Sequence, residues 1–224
     1  MKKLIFLSIA IISGSLVFSQ EPGTSFGLRA GFNMQNINGK DQDGDALEMK
    51  LVPRFQVGAF AEIPIAPDFY FQPGLTFITK GAKSENQFLG IDLLTVEYNV
   101  SYIELPLSLL YKPQLGEGWL FIGFGPYVSY GVSGKAKFEG IVSAEQKIEF
   151  TKEHDGVILP SEWKYFKPFD YGGNLFFGYE MGNGISIQVN TQLGFAKINS
   201  DNNNDNDETA FRNTGYGLGI GYNF

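Results

Sequence analysis

Residues Phe211–Phe224 read FRNTGYGLGIGYNF. Tyr216, Leu218, Ile220, Tyr222 and Phe224 form one alternate set; Gly215, Gly217, Gly219, Gly221 and Asn223 form the other. Successive side chains of a strand point to opposite faces, so one face here is bulky and apolar and the other almost bare. The outer face of a water-soluble barrel carries charge, and this segment has none after Arg212. A strand wetted by hydrocarbon on one side and pressed against a crowded lumen on the other accounts for both sets.

The same period of two recurs upstream. Segments 24–35, 53–65, 68–80, 96–111, 118–131, 169–181 and 184–197 alternate between turn formers, with 211–224 as the eighth. The connections Ala66-Pro67, Lys112 to Glu117 and Gly182-Asn183 are tight, whereas 36–52, 81–95, 132–168 and 198–210 are long. The expected fold is all-β: an eight-stranded antiparallel up-and-down transmembrane β-barrel with short periplasmic turns and four long extracellular loops.

The chain has 224 residues and begins MKKLIFLSIAIISGSLVFSQ, a basic start followed by a short apolar core. Residues 1–19 are read as a cleaved secretory signal and 20–224 as the barrel domain. The apolar core is interrupted by Ser13, Gly14 and Ser15, too soon for a spanning helix. There is no cysteine, which excludes a disulfide framework and a lipid-anchored lipoprotein. Without Lys2 and Lys3, 15 basic residues face 24 acidic ones, a net charge of −9 that argues against nucleic acid as a partner.

Parity assigns the faces. The proposed lipid rows include Phe26 to Met34, Phe55 to Ile63, Ile103 to Leu109, Ile122, Phe124, Val128, Leu175, Phe177 and Ile185 to Val189, all uncharged. Tyr111, Trp119, Tyr130, Tyr171 and Tyr222 fall near strand ends, where aromatic girdles sit. The other rows are polar or small and carry Arg29, Arg54, Glu62, Glu104 and Glu180. Eight strands enclose only enough room for side chains. The expected lumen is therefore a closed polar network in which Arg29 and Arg54 pair with Glu62, Glu104, Glu180 or Asp170. Pro73, Pro106 and Pro126 lack a ladder donor and mark irregularities.

Candidates for chemistry are sparse. His154 is the single histidine, and a catalytic site would draw on Ser143 or Ser161 with Glu153 or Asp155. Its charged neighbours favour a solvated loop residue, and no catalytic residue is assigned. Asp41, Asp43 and Asp45 form a weak calcium candidate whose spacing departs from the helix–loop–helix site. No metal and no cofactor are expected. In loop 132–168, Trp163, Tyr165 and Phe166 follow Pro160. They form either a contact surface for a partner or ligand or part of a loop that folds down and caps the barrel.

Tyr102-Ile103-Glu104-Leu105-Pro106-Leu107 resembles the YxELPL-type signature of the PorT-like outer-membrane β-barrel family of Bacteroidetes. Gly27-Leu28-Arg29-Ala30-Gly31 resembles that family's first strand, and Asp170-Tyr171-Gly172-Gly173 the start of its sixth. The resemblance covers essentially all of the mature chain. It implies an outer-membrane barrel, places Glu104 and Pro106 in the barrel wall, and supplies no catalytic residue.

The expected role is a non-enzymatic outer-membrane component, structural or partner-binding through its extracellular loops, with support of a secretion or uptake complex as one form. The alternative is a small passive porin-like channel, which needs a continuous wet lumen. A lipid-modifying enzyme using His154 is a third reading. A soluble barrel holding an apolar ligand is a fourth, and requires the Leu/Phe rows to face inward. Outer-membrane lipid and a protein met by the loops are the expected partners, with the oligomeric state left open.

Overall fold

Eight strands pair antiparallel in chain order, and the last closes on the first. They are β1 (Ser25–Lys40), β2 (Val52–Ala66), β3 (Phe69–Lys80), β4 (Ile91–Tyr111), β5 (Gly118–Gly140), β6 (Phe169–Glu180), β7 (Ile185–Gly194) and β8 (Ala210–Asn223). The computed structural model describes residues 23–40, 44–88, 91–140, 143–151, 153–154, 165–202 and 209–224. The expected signal, 1–19, lies outside them. Closure runs without a break from Gly27↔Asn223 to Lys40↔Ala210. Hydrocarbon offers backbone groups no hydrogen bonds, and a closed ladder leaves no edge unsatisfied.

The bulky rows face outward. Phe32 is 78% exposed and Ile220 64% exposed. This overturns the fourth reading, in which those rows would line a dry interior. On β1 the uncharged outward row runs from Phe26 to Met34. At roughly 3.4 Å per residue and a tilt of about 40°, it covers roughly 20 Å of membrane depth. Tyr111, Tyr130, Tyr171 and Tyr222 are exposed at the ends of the band, and Trp119 is half-buried there.

Three strands run further than the alternation of apolar residues indicates. β1 continues to Lys40 instead of ending at residue 35, β4 begins at Ile91 instead of 96, and β5 reaches Gly140 instead of 131. Beyond the membrane the code inverts. On β4, Ile103, Leu105, Leu107 and Leu109 point out, whereas above them the outward places are Ser101, Asn99 and Glu97 and the inward ones Val100, Tyr98 and Val96. Water now wets the outside, so the apolar side chains turn inward. On β5 a register shift opposite Ser101/Tyr102 changes parity at the same height. Lys135, Lys137 and Glu139 then point out, and Ala136 points in. Lys83–Phe88 pairs with β4 and Ala144–Lys147 with β5, so parts of the expected loops 81–95 and 132–168 are strand. This extramembrane head has its own core, which includes Ile37, Ile78, Tyr98, Ile148, Phe166 and Ile198.

Five of the eight seams are continuous, and three are interrupted, one beside each of Pro73, Pro106 and Pro126. Pairing skips Ala61–Glu62 opposite Gln72–Pro73, Gly74–Leu75 opposite Leu105–Pro106, and Leu107–Ser108 opposite Gly125–Pro126. Proline has no N–H to contribute to a ladder.

The inversion along β4 is testable on that strand alone. Leu105→Arg, at mid-band, is expected to cost about 2–4 kcal/mol. Asn99→Arg, on the wetted outer face of the head, is expected to stay within about 0.5 kcal/mol of wild type. Urea unfolding in lipid vesicles measures both, and equal losses would contradict the boundary.

Candidate functional site

The lumen holds two buried ion clusters, one near each end. At the turn end, the Lys112 ammonium lies 2.8 Å from Glu62 Oε2 and 2.7 Å from Glu180 Oε2. Asn223 Nδ2 donates to Glu62 Oε2 at 3.2 Å, and Gln72 Nε2 to Glu62 Oε1 at 3.1 Å. Arg29 donates to Gln72 Oε1 at 2.7 Å and spreads its guanidinium over the rings of Phe60 (4.5 Å) and Phe176 (5.3 Å). Those rings fit because Gly27 and Gly123 lie opposite them, where a Cβ would strike Phe60 and Phe176 respectively.

At the head end, Lys80 is wholly buried and sits 3.0 Å from both Glu104 Oε2 and Asp170 Oδ2. Its ammonium also lies 4.1 Å from the centre of the Tyr127 ring. Neutral donors satisfy much of what remains. Ser129 Oγ and Gln192 Nε2 donate to Glu104 at 2.9 and 2.7 Å, and Asn213 Nδ2 donates to Asp170 at 3.0 Å. Such neutral donors let two carboxylates share one ammonium in a desolvated site.

Between the clusters lies a cavity of about 30 Å³ bordered by Arg29, Gln56, Thr76, Glu104, Gln188 and Gln192 among others. Four buried polar atoms on its border, Arg29 Nε, Asn174 Oδ1, Asn190 Oδ1 and Gln192 Oε1, have no protein hydrogen-bond partner among the described residues. A space of that size with that many polar partners suits one or two water molecules.

All five lumen residues marked in the sequence lie in this interior, but their partners differ from the expected pairs. Arg54 binds Glu97 at 3.0 Å and the Tyr98 carbonyl at 2.6 Å, at the base of the head. Glu62, Glu104 and Glu180 are met by lysines, Lys112 and Lys80, that the reading missed. Both were accessible to it. Residue 80 continues the inward parity of Gln72 and Thr76 on β3, and residue 112 that of Glu104 and Ser108 on β4.

The loop candidates separate. Phe166 turns inward, 1% exposed, with its ring edge-on to Tyr98 at 5.6 Å. It belongs to the core of the head and not to a contact surface. Tyr165 is half-buried, and Trp163 lies outside the described residues. Ile148 and Phe150 fill the space over Gly134 and Gly131, where a Cβ would collide with them. This part of loop 132–168 therefore folds over the barrel mouth. His154 is held by a two-residue parallel bridge, Glu153–His154 against Asp201–Asn202. Ser143 is described, whereas Asp155 and Ser161 are outside the described residues, as are Asp41 and Asp43; Asp45 is exposed. At the rim of the head, hydrogen bonds from Lys50 and Lys83 hold the Glu85 carboxyl below its ordinary range. That contribution is present at neutral pH and is lost as pH falls through the lowered value.

A family model described as "Outer membrane protein beta-barrel domain" matches residues 18–200. No curated protein matches the sequence. Among solved structures, similar chains include Ail, the attachment invasion locus protein of Yersinia pestis, in complex with the heparin analogue sucrose octasulfate. It is 15% identical, with 90% of this chain and 99% of that chain covered and a TM-score of 0.39. Neisserial surface protein A is 12% identical, covering 90% and 99%, with a TM-score of 0.45. OprG from Pseudomonas aeruginosa is 15% identical, covering 89% and 95%, with a TM-score of 0.44. With TM-scores below 0.5, none of these likenesses bears on what the chain does.

The lysine clusters make a quantitative expectation. Lys80→Met and Lys112→Met each strand two buried carboxylates and are expected to cost about 3–5 kcal/mol. Arg54→Met should cost less, because the side chain of its partner Glu97 is 34% exposed and water can replace the guanidinium. Urea titration followed by tryptophan fluorescence in vesicles gives the ranking, and an Arg54 loss as large as the lysine losses would refute it.

Proposed function

Because the chain belongs to the family of outer membrane protein beta-barrel domains, we propose that it is a non-enzymatic outer-membrane component that works through its extracellular head and not through its lumen. The barrel is an outer-membrane protein. The supporting observation is the stoppered interior. Lys112 with Glu62 and Glu180 fills one end, Lys80 with Glu104 and Asp170 fills the other, and a cavity of about 30 Å³ lies between. A passive channel needs a continuous wet path, and two buried ion clusters standing in the lumen argue against one. The head, by contrast, displays a charged sheet face bearing Glu97, Lys135, Lys137 and Glu139 to the exterior.

In this reading residues 1–19 direct export and are removed. The likeness of Tyr102–Leu107 to the PorT-like signature supports a narrower form, an accessory subunit of a secretion or uptake complex. His154 enters no catalytic arrangement in it.

Two measurements test the proposal. Wild-type protein reconstituted in planar bilayers is expected to show no discrete conductance steps; regular ion-selective steps would favour the channel instead. Mild-detergent extracts should yield a stoichiometric companion of the full chain. A variant with 132–168 replaced by a short turn should lose it while remaining heat-modifiable on gels. A companion retained by that variant would place the contact elsewhere.

A further inference from the structure

The outward row of β6 reads Tyr171, Gly173, Leu175, so a side chain is missing in the middle of the apolar band. On adjacent β5 the outward row reads Phe124, Pro126, Val128, with a compact ring at the same level; Pro126 pairs directly with Gly173. β4 contributes Leu107 and Leu109 on the other flank. Together they leave a notch of about 350 Å³ on the lipid face, lined mainly by Leu107, Leu109, Phe124, Pro126 and Gly173. The notch lies over the β4–β5 gap, where pairing skips Leu107–Ser108 opposite Gly125–Pro126. At the Pro106 gap the outward places are taken by Leu75 and Leu105, 59% and 47% exposed, and no glycine follows them.

We propose that this notch is a preferred seat for one acyl chain of outer-membrane lipid. It is continuous with the face that hydrocarbon already covers, and its walls carry no charged side chain, so a hydrocarbon chain is recognised and not a headgroup. A chain lying in the notch touches protein on its flanks and floor, while a chain on the smooth wall touches it on one side only. Dispersion contacts add over atom pairs, so the recessed position holds the chain longer. Small residues at a lipid-depth contact likewise let partners approach closely. Behind the notch, Asn174 borders both it and the lumen cavity, so the wall is one residue thick at this point.

The test uses full-length protein purified in mild detergent and reconstituted in vesicles doped with a phospholipid carrying a diazirine midway along one acyl chain. After irradiation, adducts are mapped by peptide mass spectrometry. Peptides bearing Leu107, Leu109 and Phe124 are expected to be labelled several-fold more than those bearing Ala30 and Phe32, across the barrel at similar depth. Gly173→Phe fills the notch, and a Cβ at residue 173 meets only the Phe195 ring, at 3.6 Å, so the barrel should accept it. Labelling of the notch should then fall to that of the opposite wall. Leu109→Trp fills the notch from its other flank and serves if Gly173→Phe does not assemble. Uniform labelling around the wild-type barrel, or an excess that survives in the filled variants, would overturn the proposal.

Discussion

Closure of the sheet between β1 and β8 is the constraint on which the rest of this structure depends. A strand edge in hydrocarbon would leave backbone donors and acceptors without partners, at several kcal/mol for each. Closing the ring with eight strands removes the edges and also fixes the diameter. The interior is then so narrow that Phe60 and Phe176 fit only where Gly27 and Gly123 lie opposite them. Any inward charge must find a partner within that small cross-section, because a desolvated charge left alone is costly. Strand number thus sets the narrow space in which the two lysine clusters and their neutral donors pack.

The boundary between hydrocarbon and water divides the molecule into two regimes that share the same strands. Inside the membrane the sheet is apolar outside and polar inside; in the head it is polar outside and apolar inside. β4 passes from one regime to the other between Ile103 and Ser101, and β5 does so through a change of parity at the same height. The head therefore does not hang on the barrel as loose connections. Its core of Ile37, Tyr98, Ile148, Phe166 and Ile198 is assembled on extensions of wall strands and on the segments packed against them.

Much of this was legible in the alternation alone. Strand existence and the lipid-facing rows follow from residue type and parity, as in Tyr216 to Phe224. Three kinds of fact were not. Parity places Arg29, Glu62 and Lys112 inside but not at a height or an azimuth. Those depend on the register of all eight strands, so Glu62 meets Lys112 and not an arginine. The strand extensions were hidden because polar outward residues such as Asn36 and Asn38 read as loop once hydrocarbon is assumed outside. Phe166 read as a displayed aromatic for the converse reason, since an apolar residue beyond the membrane is core if another element covers it, and only the fold shows that Tyr98 does.

The three ladder gaps all fall on the arc from β2 to β5, while the seams on the rest of the circumference are unbroken. The tube is thus mechanically lopsided. An evenly laddered cylinder squeezed by its surroundings resists alike in every direction; this one has a stiff flank and a compliant one. Bending of the wall costs least on the arc from β2 to β5, where ladder pairing is missing beside Pro73, Pro106 and Pro126.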